Sequence, residues 1–269
     1  MKHIRECRMG LPKQFKTGAV VGSYPKPLLY IGFDRGGLDV IPSPGATKGP
    51  TDVLMDCTTA DVTYFKPGDI SACLASSVQP KISAFDFTTC SPKVLTMDFK
   101  PEASQLQYQE FIKFYNTLVA AKTFPWKTLV FDGATGFTDA VLNAISSVNP
   151  AAMLDARQWA GMAGGTLRKT ILSMTQLPCH VVVLLHSFID KDETTGVISE
   201  KPNVYSQVLR DDFFGLFSQC FYSVKDAAGN PKVWPSDKYP VKGIGCRWPQ
   251  GLPKECGPDY TSIYGKESL

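Results

Sequence analysis

The sequence predicts an α/β protein built on a mostly parallel sheet, and three observations carry that expectation. Three short apolar runs, 28–33 (LLYIGF), 128–131 (TLVF) and 180–185 (HVVVLL), are continuous rather than alternating, as strands covered on both faces should be. Each run stops at a polar residue, Asp34, Asp132 or His186. Long stretches of helical rhythm lie between the later runs.

In chain order, a short β-prone piece, Ile4–Arg8, precedes a glycine-containing loop. Ala19, Val20 and Val21 then open a helix that Tyr24-Pro25-Lys26-Pro27 must end. After the 28–33 strand, residues 41–100 read as an insertion on the core. Their strand-like fragments, 61–65 and 93–98, sit among Pro, Gly and Thr without a helix-sized pattern. Glu102–Ala121 places Leu106, Phe111, Phe114, Tyr115 and Leu118 at helical spacing, and Pro125 stops it. Asp155–Leu177 is a second long helix, with Asp155 as its N-cap and Pro178 as its stop. From Ser187 onward Gly, Pro, Lys and Asp abound. The pieces 221–224, 232–234 and 240–244 predict loops and hairpins at one sheet edge. The whole chain reads as one domain.

At 269 residues, 43% hydrophobic and 20% charged, the chain can bury a core of its own. No run approaches the roughly 20 apolar residues that span a bilayer. The start, MKHIRECRMGLPK, has no apolar stretch of the secretory kind. These features predict a cytoplasmic protein with no membrane partner. The eight cysteines form no C-x-x-C pair and the three histidines do not join them at zinc spacing, so reduced thiols are expected. A net charge of +3 says little about an anionic partner.

The chemistry concentrates in Gly10-Leu11-Pro12-Lys13-Gln14-Phe15-Lys16-Thr17. It matches G-x-x-x-x-G-K-[ST] at the first glycine, the lysine and the threonine, with Phe15 in place of the second glycine. Such a loop holds phosphate with inward N–H groups, a helix start and one cation. Lys16 would supply the cation of an ATP site, and the Thr17 hydroxyl would ligate Mg²⁺. An exposed basic loop is the alternative. Asp132, at a strand end where open α/β sheets bind ligands, would hold the magnesium through water. Asp34 would orient the attacking water as general base, or would simply start a turn before Gly36-Gly37. His186 would face the γ-phosphate, or would be an ordinary satisfied polar group.

In order and spacing, these residues resemble the RecA-core ATPases of tailed phages, in particular short phage recombinases of the single-strand-annealing type. The likeness runs through GLPKQFKT (10–17), YPKPLLYIGFDRGG (24–37), TLVFDG (128–133) and LPCHVVVLLH (177–186). It continues in KDETTG (191–196), VLRDDFFGLF (208–217) and YPVKGIGCR (239–247). The resemblance implies a RecA-like P-loop NTPase core and an ATPase that depends on single-stranded DNA, acting in recombination or replication in the host cytoplasm. It implies self-assembly into a ring or filament, and a single-stranded-DNA-binding protein as a further partner. DNA would lie near 188–205, with Lys191 and Lys201 as phosphate contacts. Lys242 and Arg247 would reach the neighbouring subunit's nucleotide. For each of these basic residues a solvated surface charge is the plain alternative.

Two positions depart from the family pattern. Phe15 replaces a flexible glycine, and Arg35 stands where the family often has an acid. A nucleotide-binding structural or regulatory protein with little hydrolysis is therefore the competing expectation, and a P-loop kinase or another motor subunit a further one. A kinase lid would need clustered arginines, and the seven here are scattered.

Overall fold

A computed structural model of the chain describes residues 3–34, 37, 40–41, 62–90, 101–148, 155–238, 240–241, 244–245 and 254–265. Nine strands form one sheet: β1 (Arg5–Gly10), β2 (Leu28–Gly32), β3 (Val62–Phe65), β4 (Ile82–Asp86), β5 (Thr128–Asp132), β6 (His180–Lys191), β7 (Ile198–Pro202), β8 (Gln219–Lys225) and β9 (Pro231–Trp234). The order is β3-β4-β2-β5-β6-β1-β8-β9, with β7 paired to the extension of β6. Every pairing from β3 to β8 is parallel; β9 runs antiparallel to β8 and β7 to β6. The α/β class and the mostly parallel sheet thus stand as expected.

Helices cover both faces. α1 (Lys16–Ser23) and α7 (Tyr260–Tyr264) lie on one side, where Val20, Val21, Tyr260 and Ile263 pack on Leu28, Tyr30, Val130, Val182 and Leu184. The other side carries α3 (Pro101–Ala120), α4 (Ala134–Val148), α5 (Ala156–Met174) and the short α6 (Gln207–Asp212). There Phe111, Phe114, Phe137 and Leu167 pack on Leu29, Ile31, Phe131, Val181 and Val183. Odd and even positions of β2 and β6 serve opposite layers, which explains why those strands read as unbroken apolar runs.

Several boundaries differ from expectation. The described part of the supposed insertion, 62–90, contributes β3, β4 and the short helix α2 (Ile70–Ala75), and its strands extend the same sheet beyond β2. Backbone pairing of β4 to β2, and of β3 to β4, stabilises strands whose own sequence is weakly patterned. The piece 93–98 lies outside the described residues. α4 had no sequence-based counterpart, and its core stripe includes the small Ala140 and Ala144 beside Phe137 and Val141. α3 and α5 fall where the periodicity put them, and the Asp155 carboxylate caps α5 by accepting from Arg157 N at 2.9 Å. Within 240–244, the described Val241 makes isolated bridges to Glu200 and Lys238.

β1 carries two charges, Glu6 and Arg8, into a layer with no access to water. They satisfy each other through the Arg8 Nε–Glu6 Oε1 pair. Tyr24, directly after α1, and Tyr264 of α7 both donate to Glu6 Oε2, while Arg8 also donates to the Tyr24 hydroxyl at 2.7 Å and to Pro258 O at 2.6 Å. Breaking a buried pair leaves one charge uncompensated, so Arg8→Ala is expected to destabilise the protein by about 3–5 kcal/mol. In urea unfolding, Glu6→Gln/Arg8→Met together should cost less than Arg8→Ala alone. Equal or larger losses in the double variant would show that packing rather than charge compensation holds this layer.

Candidate functional site

Three strand ends and one helix start converge beside α1. β1 passes at Gly10 into the loop 11–15, and α1 opens on Lys16 and Thr17. Alternation of side chains decides what else reaches this side. Tyr30, Val130 and Leu184 belong to the α1-side core, so Asp34, Asp132 and His186, at even spacing beyond or beside them, turn toward the same side.

Register then sets the distances. Asp132 lies opposite Gly32 on β2 and Leu184 on β6, and Gly10 lies opposite His186. His186 and Asp34 each stand two residues further along than the Asp132 row. Between them β5 has already ended, because the chain turns at Gly133, with φ 87°, into α4. A Cβ at residue 133 would lie 2.6 Å from Asp34 N, so only glycine lets the chain pass here. Across this gap His186 Nε2 meets Asp34 Oδ2 at 3.2 Å.

Asp132 is 3% exposed. Its Oδ2 accepts from Thr17 Oγ1 at 2.6 Å and from the Tyr30 hydroxyl at 2.9 Å. Burial pushes its carboxyl above the usual range, against the pull of these two hydrogen bonds and of Lys16 nearby. Lys16 is itself buried, and its Nζ donates to Gly10 O at 2.9 Å and Leu11 O at 2.8 Å. Burial lowers its ammonium to about 8, with Asp132 and Asp34 opposing the shift.

The loop takes its shape from two left-handed residues that are not glycine, Lys13 (φ 62°) and Phe15 (φ 59°). Such a conformation costs an L residue on the order of 1–2 kcal/mol. Phe15 sits immediately before α1, where the motif ordinarily has its second glycine, and Lys225 Nζ lies 4.6 Å from its ring centroid. Gln14 keeps a buried Oε1 without a hydrogen-bond partner, while Leu11 is exposed. At Gly10 a Cβ would come within 2.7 Å of Ser223 O, so that glycine serves the β1–β8 approach.

The sequence-based candidates therefore divide. Gly10–Thr17, Asp34, Asp132 and His186 gather in one place. Lys191 and Lys201 stand apart, on the β6–β7 arm. The region after His186, where loops and hairpins are expected, is a β-hairpin, because Ser187–Lys191 continue β6 and pair with Ile198–Pro202. Lys201 Nζ is 2.8 Å from Asp190 Oδ2, and Asp192 and Glu193 add acid at the exposed turn. This arm is no uncompensated basic surface. Lys242 and Arg247 lie outside the described residues, as does Arg35. Tyr30 and Gly133 are site residues that the sequence did not single out. The signal for Gly133 was its place directly after a strand-end aspartate.

The oxygens of Thr17 and Asp132 fit a hard cation such as Mg²⁺, being a hydroxyl and a carboxylate already within one coordination sphere of each other. Among the described residues no group of three or more His, Cys, Asp or Glu could hold a metal alone, so a cation here would need oxygens from a ligand or water. Of the six described cysteines, five are buried. Among the described residues no helix is long and apolar enough to cross a membrane. No protein-family model and no curated protein matches the chain.

The buried lysine makes a pH test of the ligand-free site. Between about pH 8 and 10.5 the unfolded chain keeps a proton on Lys16 that the folded site has released, so this group makes stability rise with pH across that window. Below the window its burial cost is fully present. Lys16→Met should stabilise the free protein at pH 7 by on the order of 3 kcal/mol, a gain that shrinks toward zero by the top of the window. Urea unfolding of both proteins at pH 7, 9 and 10.5 reads the difference. A difference that does not change with pH would contradict the assignment.

Proposed function

We propose that the chain binds ATP with Mg²⁺ at Gly10–Thr17 and hydrolyses it, as a RecA-like P-loop ATPase acting on single-stranded DNA in phage recombination or replication. One observation carries the nucleotide site: the Thr17 hydroxyl, at the first turn of the helix after the loop, bonds the buried Asp132 carboxylate at 2.6 Å. The two residues come from elements separated in the sheet by β6, so their meeting is a product of topology rather than of local sequence. A hydroxyl and a carboxylate beside a buried ammonium are the three groups that phosphoryl transfer from a magnesium nucleotide requires.

In this proposal Lys16 exchanges its two loop carbonyls for phosphate oxygens, and the free N–H groups at the start of α1 face the same anion. Thr17 and Asp132 would hold Mg²⁺, which neutralises phosphate charge when bound. Asp34 and His186 stand at the far side of Asp132, where an attacking water would lie. The DNA role and self-assembly, with Lys191 and Lys201 toward DNA and Lys242 and Arg247 toward a neighbouring subunit, rest on the family resemblance. A nucleotide-binding regulatory protein with little turnover is the second reading. What favours it is Phe15, a bulky left-handed residue tied to Lys225 at the point where a phosphate loop usually bends freely.

Calorimetry and phosphate release separate the two. Lys16→Ala should weaken binding of magnesium ATP by about 2–3 kcal/mol, roughly 30–150-fold. Asp132→Asn should lose turnover while binding falls much less. Single-stranded DNA should raise the wild-type rate, and the rise should fade with salt. Unchanged affinity in Lys16→Ala would remove the site from this loop, and binding without turnover would favour the regulatory reading.

A further inference from the structure

We propose that His186 is the general base of the reaction and Asp34 the residue that positions it, a reversal of the roles their sequence positions suggest. The inference rests on the ATPase reading above and deepens it. Asp34 Oδ2 lies 3.2 Å from His186 Nε2, which places the carboxylate to orient the ring and to balance charge that develops on it. A carboxylate only accepts, so His186 carries its proton on Nε2. In the neutral ring Nδ1 then holds the lone pair, and among the described residues no hydrogen bond is made to it.

The surroundings suit that role. His186 lies directly opposite Gly10, where the phosphate loop begins, and its ring bridges from there to Asp34 across the end of β5. Its backbone is pinned on both sides: its N–H donates to Thr135 Oγ1 at 3.3 Å, and its carbonyl accepts from Asn203 N at 3.0 Å. The charged groups about the pair are Lys16 from α1, Asp132 from β5 and Asp34 itself. α4 offers the neutral Thr135 and β1 offers Gly10. Both side chains remain about three-tenths exposed, enough to admit a water.

The step balances as follows. Water oxygen forms a bond to the γ-phosphorus while the bond from that phosphorus to the β–γ bridging oxygen breaks, and that electron pair leaves with ADP. The water proton passes to His186 Nδ1. The imidazolium so formed is stabilised by the Asp34 carboxylate through Nε2–H, and it returns the proton to phosphate or solvent. This is nucleophile activation by a base that a third group orients.

The test uses the whole chain and three readouts. In the free protein, long-range ¹H–¹⁵N spectra should show His186 as the Nε2–H tautomer. With only three histidines, its signals are assigned by their loss in His186→Gln. His186→Gln keeps a donor for Asp34 but has no base. Its turnover should fall about 10²–10⁴-fold, with calorimetric affinity for magnesium ATP close to wild type. Asp34→Asn should retain more turnover than His186→Gln, and its spectra should show the His186 proton redistributed between Nε2 and Nδ1, since the carboxylate facing Nε2 is gone. An Nδ1–H tautomer, His186→Gln turnover near wild type, or an unchanged His186 tautomer in Asp34→Asn would each overturn the proposal while leaving the ATPase reading in place. Wild-type protein that binds magnesium ATP without turning it over would overturn the base and keep the binding site. Wild-type protein that does not bind it would overturn both.

Discussion

A carboxylate held out of water at the end of β5 is the constraint around which the site is arranged. Asp132 retains its place only because neighbours from distant parts of the chain supply hydrogen bonds in return for lost hydration: Thr17 from the helix after β1, and Tyr30 from β2. Lys16 supplies the nearby positive charge. These demands fix the sheet as much as the sheet fixes them. Tyr30 can reach Asp132 only if β2 lies beside β5, and Thr17 only if α1 crosses the end of that pair on its own side. Burial raises the carboxyl and lowers the ammonium, so each group's charged form depends on its partners in the site.

Much of this was legible in the chain. The three apolar runs with polar ends became β2, β5 and β6, and their terminal Asp34, Asp132 and His186 came together with Lys16 and Thr17. A strand buried on both faces leaves a continuous apolar signature, and its last residue is the first free to be polar. What escaped notice lacked such a signature. β4 gains its order from pairing with β2, and β3 from pairing with β4. α4 builds part of its inner stripe from alanines that weigh little in any hydrophobic count. The contact between Asp34 and His186 depends on the chain turning away at Gly133 after β5, while the chain beyond β2 and along β6 runs two residues past the Asp132 row, a fact of register that no linear pattern records.

Phe15 illustrates how a sequence departure can be absorbed. The motif's glycine gives left-handed freedom without steric cost, and here a phenylalanine adopts that same left-handed conformation. The Lys225 ammonium over its ring offsets part of that strain and links the loop to β8. The loop is consequently stiffer than a glycine-rich one, with its curvature set before any ligand arrives.

The layer of Glu6, Arg8, Tyr24 and Tyr264 has a consequence for the order of events during synthesis. β1 is among the first elements to be made, but the hydroxyl of Tyr264 and the carbonyl of Pro258 that complete its charges are among the last. Tyr260 N also reaches back to Ser23 Oγ at the end of α1, at 2.9 Å. Until residues 258–264 are available, Glu6 and Arg8 would have to enter the interior with part of their hydrogen bonding missing, at a cost of several kcal/mol. A growing chain therefore keeps β1 and the helix that follows it unsettled, and the loop between them gains its form only when translation of this region is nearly done. The closing helix works as a latch on the opening strand, so incomplete chains do not present a finished site.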